Sequence, residues 1–362
     1  MFSISELDTP ALLIDLDIFE RNLARVAAYA KANDLRLRPH TKTHKIPAIG
    51  RMQLASGAVG LTVAKVGEAE VMLGSGTPDL LVAYPVIGRS KLERLAEVAR
   101  KTRVTVALDS SIAARQLSEA ARQAQVNFGA LAEVDVGLGR AGVSPGEELL
   151  QLAQAIERLP QLTFEGITFY PGHIKEDGAE VALRELGVAV ESILADFRRA
   201  GIEARIVSGG STPTLFRSHQ IAGLNEIRPG TYVYNDVNTV QAGACGWDDC
   251  AVSILTTIVS TAKKGQMIVD GGSKTFSSDR LAGSIVTFGR VMEAPECVFH
   301  KLNEEHGFVN IAGAGREFSV GDRVRIIPNH VCVAVNLHEQ VYGVRKDHVE
   351  QVWKVEGRGK LQ

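Results

Sequence analysis

The segment RPHTKTHK sets Lys42 between His40 and His44, with Lys45 at its end. An ammonium crowded by other cationic or ionisable groups is disfavoured, and a lysine made neutral this way can form a Schiff base with a carbonyl. The plain alternative for Lys42 is a solvated loop lysine. Lys45 begins the following helix and is expected to be the exposed one of the two. In EVDVGLGRAG, Arg140 follows two turn-forming glycines and offers a fixed planar donor to an oxygen anion. Its alternative is an ion pair with Glu133 or Asp135. In FYPGH, Tyr170 can pack against or donate to a ring, and His173 can exchange a proton near neutral pH.

Two further segments suit a phosphate. SGGSTPT carries Gly209, Gly210, Ser211 and Thr212, and RPGTYVYND carries Gly230, Thr231 and Tyr232. Glycine-rich turns expose main-chain N–H groups, and the hydroxyls add donors, which together cradle a dianion. In PNHVCVAVNLHE, His330 and Cys332 stand two apart on a stretch that reads as extended, so both face one side. An imidazole and a thiolate so placed can chelate zinc or a similar borderline metal. Two donors do not close a structural site, so water or substrate would complete the shell. The alternative is a core cysteine beside a hydrogen-bonded histidine. Glu305 and His306 in NEEHG are further candidates around such a metal, with a polar turn the plainer reading.

These residues need elements to hold them. Strand-like runs lie at Leu35–Pro39, Gly60–Ala64, Leu80–Tyr84, Val104–Asp109, Ala130–Val136, Phe164–Tyr170, Ala204–Ser208 and Asn225–Gly230. Between them lie helix-period stretches such as LERLAEVAR and EELLQLAQAIERLP. Most of the strands are nearly continuous apolar runs, as when both faces are buried in a parallel sheet. Eight such units without a GxGxxG turn after the first strand predict a TIM-type (β/α)8 barrel, whose active site lies at the strand C-termini. From about Cys250 the chain turns to short strands: CAVSILTTIVS, GQMIVDGG, GSIVTFGRVM, FVNIAG, DRVRIIPN, EQVYGVR and EQVWKV. That spacing predicts a smaller all-β domain. The expected division is 8–240 for the barrel and 241–362 for the β-domain, with residues 1–7 packing on the latter.

Composition narrows the function further. The 362 residues hold 40 basic and 42 acidic side chains, a formal charge of −2. That balance gives no reason to expect nucleic acid or an anionic membrane as partner. No apolar run reaches the roughly 18 residues that span a bilayer, and the N-terminus does not read as a secretion signal. A cytoplasmic enzyme acting on a small molecule is the expectation. The four cysteines contain no C-x-x-C pair and no disulfide framework.

Taken in order, DTPALLIDLD, RPHTKTHK, VDVGLGRAG, YPGH, SGGSTPT, RPGTYVYND and PNHVCVAVNLHE resemble the D-threonine aldolase and D-serine dehydratase family. That family has the alanine racemase-like fold of type III pyridoxal phosphate enzymes. The resemblance implies Lys42 as the Schiff-base lysine, with His40 and Tyr170 also at the cofactor. It puts Arg140 at the phenolic oxygen and Arg228 at the pyridine nitrogen. Gly209, Gly210, Ser211, Thr212, Gly230 and Thr231 become the phosphate cradle, with Tyr232 also at the cofactor. It makes His330 and Cys332 ligands of a divalent metal, zinc or manganese, and His173 the candidate base for a substrate β-hydroxyl. The implied activity is retro-aldol cleavage of D-threonine. Dehydration of D-serine or D-3-hydroxyaspartate is the runner-up, favoured by a cysteine rather than an aspartate at position 332. A racemase would need a catalytic tyrosine, for which the β-domain offers only Tyr342. A non-catalytic pyridoxal phosphate carrier would resemble the barrel alone. The family also implies a homodimer with active sites at the subunit interface.

Overall fold

All eight apolar runs of the N-terminal part form strands, and all eight join one parallel sheet. The computed structural model describes residues 2–175, 178–281 and 286–362. The chain divides into two compact units, Ala24–Gly230 with Gly359–Gln362, and Met1–Leu23 with Thr231–Arg358.

In the first unit the strands are β1 (Arg36–Leu37), β2 (Leu61–Val63), β3 (Asp79–Val82), β4 (Arg103–Leu108), β5 (Phe128–Glu133), β6 (Leu162–Thr168), β7 (Ile206–Gly209) and β8 (Glu226–Ile227). From β2 to β8 neighbours in sequence are neighbours in the sheet, and β8 lies beside β1. The ring closes where His40 bridges Thr62 and the Thr62 N–H donates to the Pro39 carbonyl at 2.8 Å. Helices such as Arg89–Ala99, Ser111–Ala124 and Glu147–Glu157 each bury one apolar face, for example Leu117 and Ala121 of the second. Ser110 caps that helix by accepting from Ala113 N–H at 3.3 Å.

The barrel interior has an apolar layer and a charged one. Leu81, Leu131 and Ile206, from β3, β5 and β7, pack together, the alternate-strand layering of such barrels. Beneath the first strand's loop Arg38 is buried between Asp79 at 2.9 Å and Glu226 at 3.0 Å. Arg103 pairs with the buried Glu165, whose other oxygen accepts from Thr105 at 3.1 Å. Buried charges are tolerated only in such pairs, because each alone costs several kcal/mol of desolvation. Gly129 makes room for this layer. A Cβ there would lie 2.5 Å from Thr105 Oγ1 and 2.7 Å from Glu165 Cδ.

The second unit is a ten-stranded sheet built largely antiparallel. Its long strand Val252–Ser260 pairs with Ala11–Asp15, Gln266–Val269 and Arg323–Pro328. The chain's last strand, His348–Lys354, pairs with Gln340–Arg345 and with Phe2–Ser3. Of the run GSIVTFGRVM, Gly289–Val291 is a strand, while residues 283–285 lie outside the described residues. The strand Val298–Leu302 was not foreseen. All four cysteines are free thiols. Among the described residues no helix is long and apolar enough to cross a membrane.

Two expectations are corrected. Lys45 does not open a helix and is not exposed. It sits at φ +57 after the turn Thr41–Thr43, buried, with Nζ 3.3 Å from Glu68 Oε1. Pro47 sets the helix start two residues later. His330 and Cys332 are not both on an extended stretch. Strand Arg323–Pro328 ends first, His330 stands just before a helix without capping it, and Cys332 lies in the first turn of that helix, Val331–Leu337. The alternation of PNHVCVAV mimics a strand, but Asp236 accepts from the Val331 N–H at 3.0 Å and so caps a helix there.

Candidate active site

The C-terminal ends of the barrel strands and the loops that follow them carry the candidates of the first unit. Lys42 lies in the turn Thr41–Thr43 after β1, its side chain exposed while Thr41 and Thr43 are buried. Thr41 Oγ1 donates to the Thr62 carbonyl at 3.1 Å, and His40 Nδ1 accepts from Lys42 N–H at 3.4 Å. The loop after β8 packs against this turn. His40 N–H donates to the Pro229 carbonyl at 3.0 Å, and a Cβ on Gly230 would meet Thr43 Oγ1 at 2.9 Å.

His40 reports the charge in this mouth. Burial holds its pKa well below the usual histidine value, and Lys42, Arg228, His44 and Arg140 lower it further. The lysine and the two arginines singled out in the sequence thus all act electrostatically on one neutral imidazole. Positive charge gathered in this way suits an anion.

Arg228 is buried, donating from Nη1 to Ser208 Oγ at 2.5 Å and from Nη2 to the Phe169 carbonyl at 3.0 Å. Ser208 in turn donates to Glu226 at 2.7 Å, and Glu226 accepts from Arg38. The charged layer of the barrel thus fixes Arg228 from below. Glu133, at the end of β5, is buried, which pushes its carboxyl up, and Arg228 and Arg140 oppose this.

Arg140 lies over the Tyr170 ring, 4.8 Å from its centroid, and Asp135 accepts instead from the N–H groups of Gly137 at 3.0 Å and Gly139 at 3.1 Å. Gly172 lets that ring fold back, since a Cβ there would lie 2.3 Å from it. His173 is exposed and packs on Gly137, whose ideal Cβ position is 3.3 Å from Nε2.

After β7, Gly210, Ser211 and Thr212 are buried, with Gly210 at φ +85 and Ser211 Oγ 3.1 Å from Thr214 Oγ1. Among the described residues no acceptor meets the main-chain N–H of Gly210, Ser211 or Thr212. Buried N–H groups left this way point to an anion.

The second unit holds the other candidates. The chain enters it at Thr231, whose Oγ1 is 3.9 Å from Cys332 Sγ, and the neighbouring Tyr232 is buried. His330 is half-buried, with Nδ1 3.2 Å from Asp236 Oδ2. Burial disfavours its imidazolium, but hydrogen bonds with Asp236 and Cys332 outweigh that and raise its pKa to about 11. The imidazole and the thiol therefore interact, at the start of a helix and not on the extended stretch that the spacing suggested. Glu305 and His306 fall in the polar turn between Val298–Leu302 and Gly307–Asn310, Glu305 paired with Lys274 at 2.7 Å. Among the described residues no group of three or more His, Cys, Asp and Glu is set to hold a metal.

Asp236 was missed. D-x-x-T reads as a helix start, and Asp236 does cap Val237–Gln241 in a capping box with Thr239. That signal is local and says nothing of His330, 94 residues on.

Residues 14–237 match the alanine racemase N-terminal domain. The chain belongs to the alanine racemase-like family. Its residues 251–344 match a putative serine dehydratase domain. The D-threonine aldolase of Arthrobacter sp. is 33% identical over 98% of this chain and 94% of its own. The crystal structure of D-threonine aldolase from Filomicrobium marinum superposes with a TM-score of 0.93 at 33% identity, covering 99% of this chain and 98% of that one. D-threo-3-hydroxyaspartate dehydratase from Delftia sp. HT23 superposes with a TM-score of 0.88 at 30% identity, over 98% and 99%. A cysteine-to-alanine variant of D-threo-3-hydroxyaspartate dehydratase is solved in a metal-free form. The family is one of pyridoxal phosphate enzymes, and the relatives are aldolases and dehydratases.

Proposed function

We propose that this chain is a metal-dependent pyridoxal phosphate lyase for D-3-hydroxy-2-amino acids, cleaving D-threonine to glycine and acetaldehyde. The observation that carries the reading is the positive charge of Lys42, Arg140 and Arg228 acting together on His40, with Arg228 anchored by Ser208 and the Phe169 carbonyl and Arg140 over the Tyr170 ring. The open N–H groups of Gly210–Thr212 stand in the same unit. A group with a carbonyl, a phenolic oxygen and a phosphate fits that set of donors.

Lys42 would hold the cofactor's carbonyl carbon, Arg140 its phenolic oxygen and Arg228 the face of its ring nitrogen. Gly209, Gly210, Ser211, Thr212, Gly230 and Thr231 would take the phosphate, with His40, Tyr170 and Tyr232 also at the cofactor. His330 and Cys332 would hold zinc or manganese, with water or substrate completing the shell. Pyridoxal phosphate supplies an electron sink for the pair left at Cα, and the metal supplies a Lewis acid that lowers the pKa of the β-hydroxyl.

The protein's own work is then proton management and orientation. His173 removes the β-hydroxyl proton as the Cα–Cβ bond breaks, and acetaldehyde leaves. A proton returned to Cα completes glycine. Arg228, pinned by Ser208 and the Phe169 carbonyl, would offer a cation rather than a carboxylate to the ring nitrogen. That arrangement weakens the sink and puts weight on the metal. The assembly in this reading is a homodimer, which sedimentation of the loaded protein tests.

Cys332 favours a second reading. It stands where the resemblance puts cysteine in D-serine dehydratases, and a thiolate prefers zinc. There Lys42 removes the α-proton and hydroxide departs from Cβ. The test is product analysis of the metal- and cofactor-loaded protein with D-threonine. Glycine plus acetaldehyde supports the aldolase. Ammonia plus 2-oxobutanoate replaces it with the dehydratase. Neither product, with D-serine and D-3-hydroxyaspartate also inert, overturns both.

A further inference from the structure

We propose that Asp236 is the positioning residue of the His330–Cys332 pair, holding His330 by Nδ1 so that Nε2 alone is presented to a divalent cation. The inference rests on the metal reading above and deepens it. Asp236 is completely buried, and both its oxygens are engaged. Oδ1 accepts from Thr239 N–H at 2.8 Å. Oδ2 accepts from Val331 N–H at 3.0 Å and lies 3.2 Å from His330 Nδ1. Two main-chain donors from two short helices, Val237–Gln241 and Val331–Leu337, therefore fix the carboxylate without help from the imidazole. The imidazole must conform to it.

The two main-chain bonds use one lone pair on each oxygen, and an amide could accept only one of them. A carboxylate is therefore needed for both caps, and Oδ2 keeps a further lone pair for the imidazole. What a carboxylate adds is a strong acceptor for an imidazole N–H, and that bond selects the tautomer with hydrogen on Nδ1. Metal-bound histidines are commonly oriented in this way, and loss of such a partner typically costs about 10–100-fold in metal affinity. With its oxygens taken, Asp236 acts through His330 and is not itself a ligand. Cys332, in the first turn of the helix that Asp236 caps, is placed by the same carboxylate.

The experiment measures zinc affinity of the cofactor-loaded protein by competition with a chromophoric chelator. Asp236→Asn keeps one of the two main-chain bonds and loses the other, so it is expected to lower the metal-free denaturation midpoint and to bind zinc about 10–100-fold more weakly. Thr239→Ala removes the other half of the capping box. It should lower the midpoint and leave zinc affinity unchanged. Equal zinc affinity in D236N and the parent overturns the inference and leaves the metal reading standing. An equal loss in T239A overturns it too, since helix stability would then explain the effect. A parent protein that takes up no stoichiometric zinc or manganese overturns the metal reading and this inference with it. Should D236N not fold, 15N shifts of His330 in the parent's zinc form decide. Hydrogen on Nδ1 supports the proposal and hydrogen on Nε2 refutes it.

Discussion

Lys45 Nζ lies 3.3 Å from Glu68 Oε1 with both side chains buried, while Lys42, three residues earlier, stands exposed after β1. Glu68 is held in turn, its other oxygen accepting from Ala64 N–H at 2.7 Å. The pair separates two lysines that look alike in RPHTKTHK. One is committed to the fold and the other is available for chemistry. Lys42→Ala should therefore abolish the visible absorbance of bound cofactor and leave the denaturation midpoint unchanged. Lys45→Met should cost about 3–5 kcal/mol, because it strands a buried carboxylate. Absorbance spectra and urea titrations of the two variants check this. A retained cofactor band in K42A would assign the wrong lysine.

Gly210, at φ +85 in the turn after β7, is the residue of SGGST least able to change. An alanine there pays backbone strain of about 1–3 kcal/mol and brings its Cβ to 3.3 Å from Ser218 Oγ. Turning the peptide to relieve that strain moves the open N–H groups of the loop. Gly210→Ala is expected to lower the midpoint and to weaken pyridoxal phosphate binding by tenfold or so, about 1.4 kcal/mol, in an absorbance titration. Unchanged affinity would remove this loop from the phosphate site.

His44 is fully buried against Gln53 at 3.2 Å, and burial lowers its pKa to about 4. The unfolded chain takes up that proton near pH 6.5, while the folded chain resists it down to about 4. Between those values the unfolded state binds more protons, so stability falls as pH falls. Burial lowers His40 and His338 in the same direction. Denaturation midpoints should drop from pH 7 to pH 5, with His44 contributing on the order of 2–3 kcal/mol across its whole window. His44→Gln should flatten the slope. A parallel slope in that variant would show that other groups set it.

Chelation should separate the two cofactors of the proposed reaction. Dialysis against a strong chelator is expected to abolish turnover of D-threonine while the cofactor band persists. Zinc or manganese should restore it. His330→Ala should behave like the chelated enzyme and fail to recover with added metal. Full activity after chelation would exclude metal from the reaction.

The barrel was legible because burial on both faces writes continuous apolar runs into a strand. Leu80–Tyr84 and Val104–Asp109, for example, became Asp79–Val82 and Arg103–Leu108. Val298–Leu302 was not legible. Its residues, VFHKL, alternate weakly, and only Phe299 is fully buried. The pairing of Ala11–Asp15 with Val252–Ser260 was equally hidden, since nothing local in ALLID says which sheet it joins.

The sequence by itself determined the chemistry on offer: Lys42, Arg140, Arg228, the glycine-rich loops, and an imidazole two residues from a thiol. These are matters of side-chain type and short spacing, which local pattern preserves. Only the tertiary structure decided which groups were free to use it. Glu68, 23 positions from Lys45, took that lysine out of play. Ser208 and the Phe169 carbonyl anchored Arg228. Asp236 turned an apparent strand into a helix start and gave His330 its partner. Each is a contact between distant segments, and its energy depends on burial, which folding creates and local sequence does not contain.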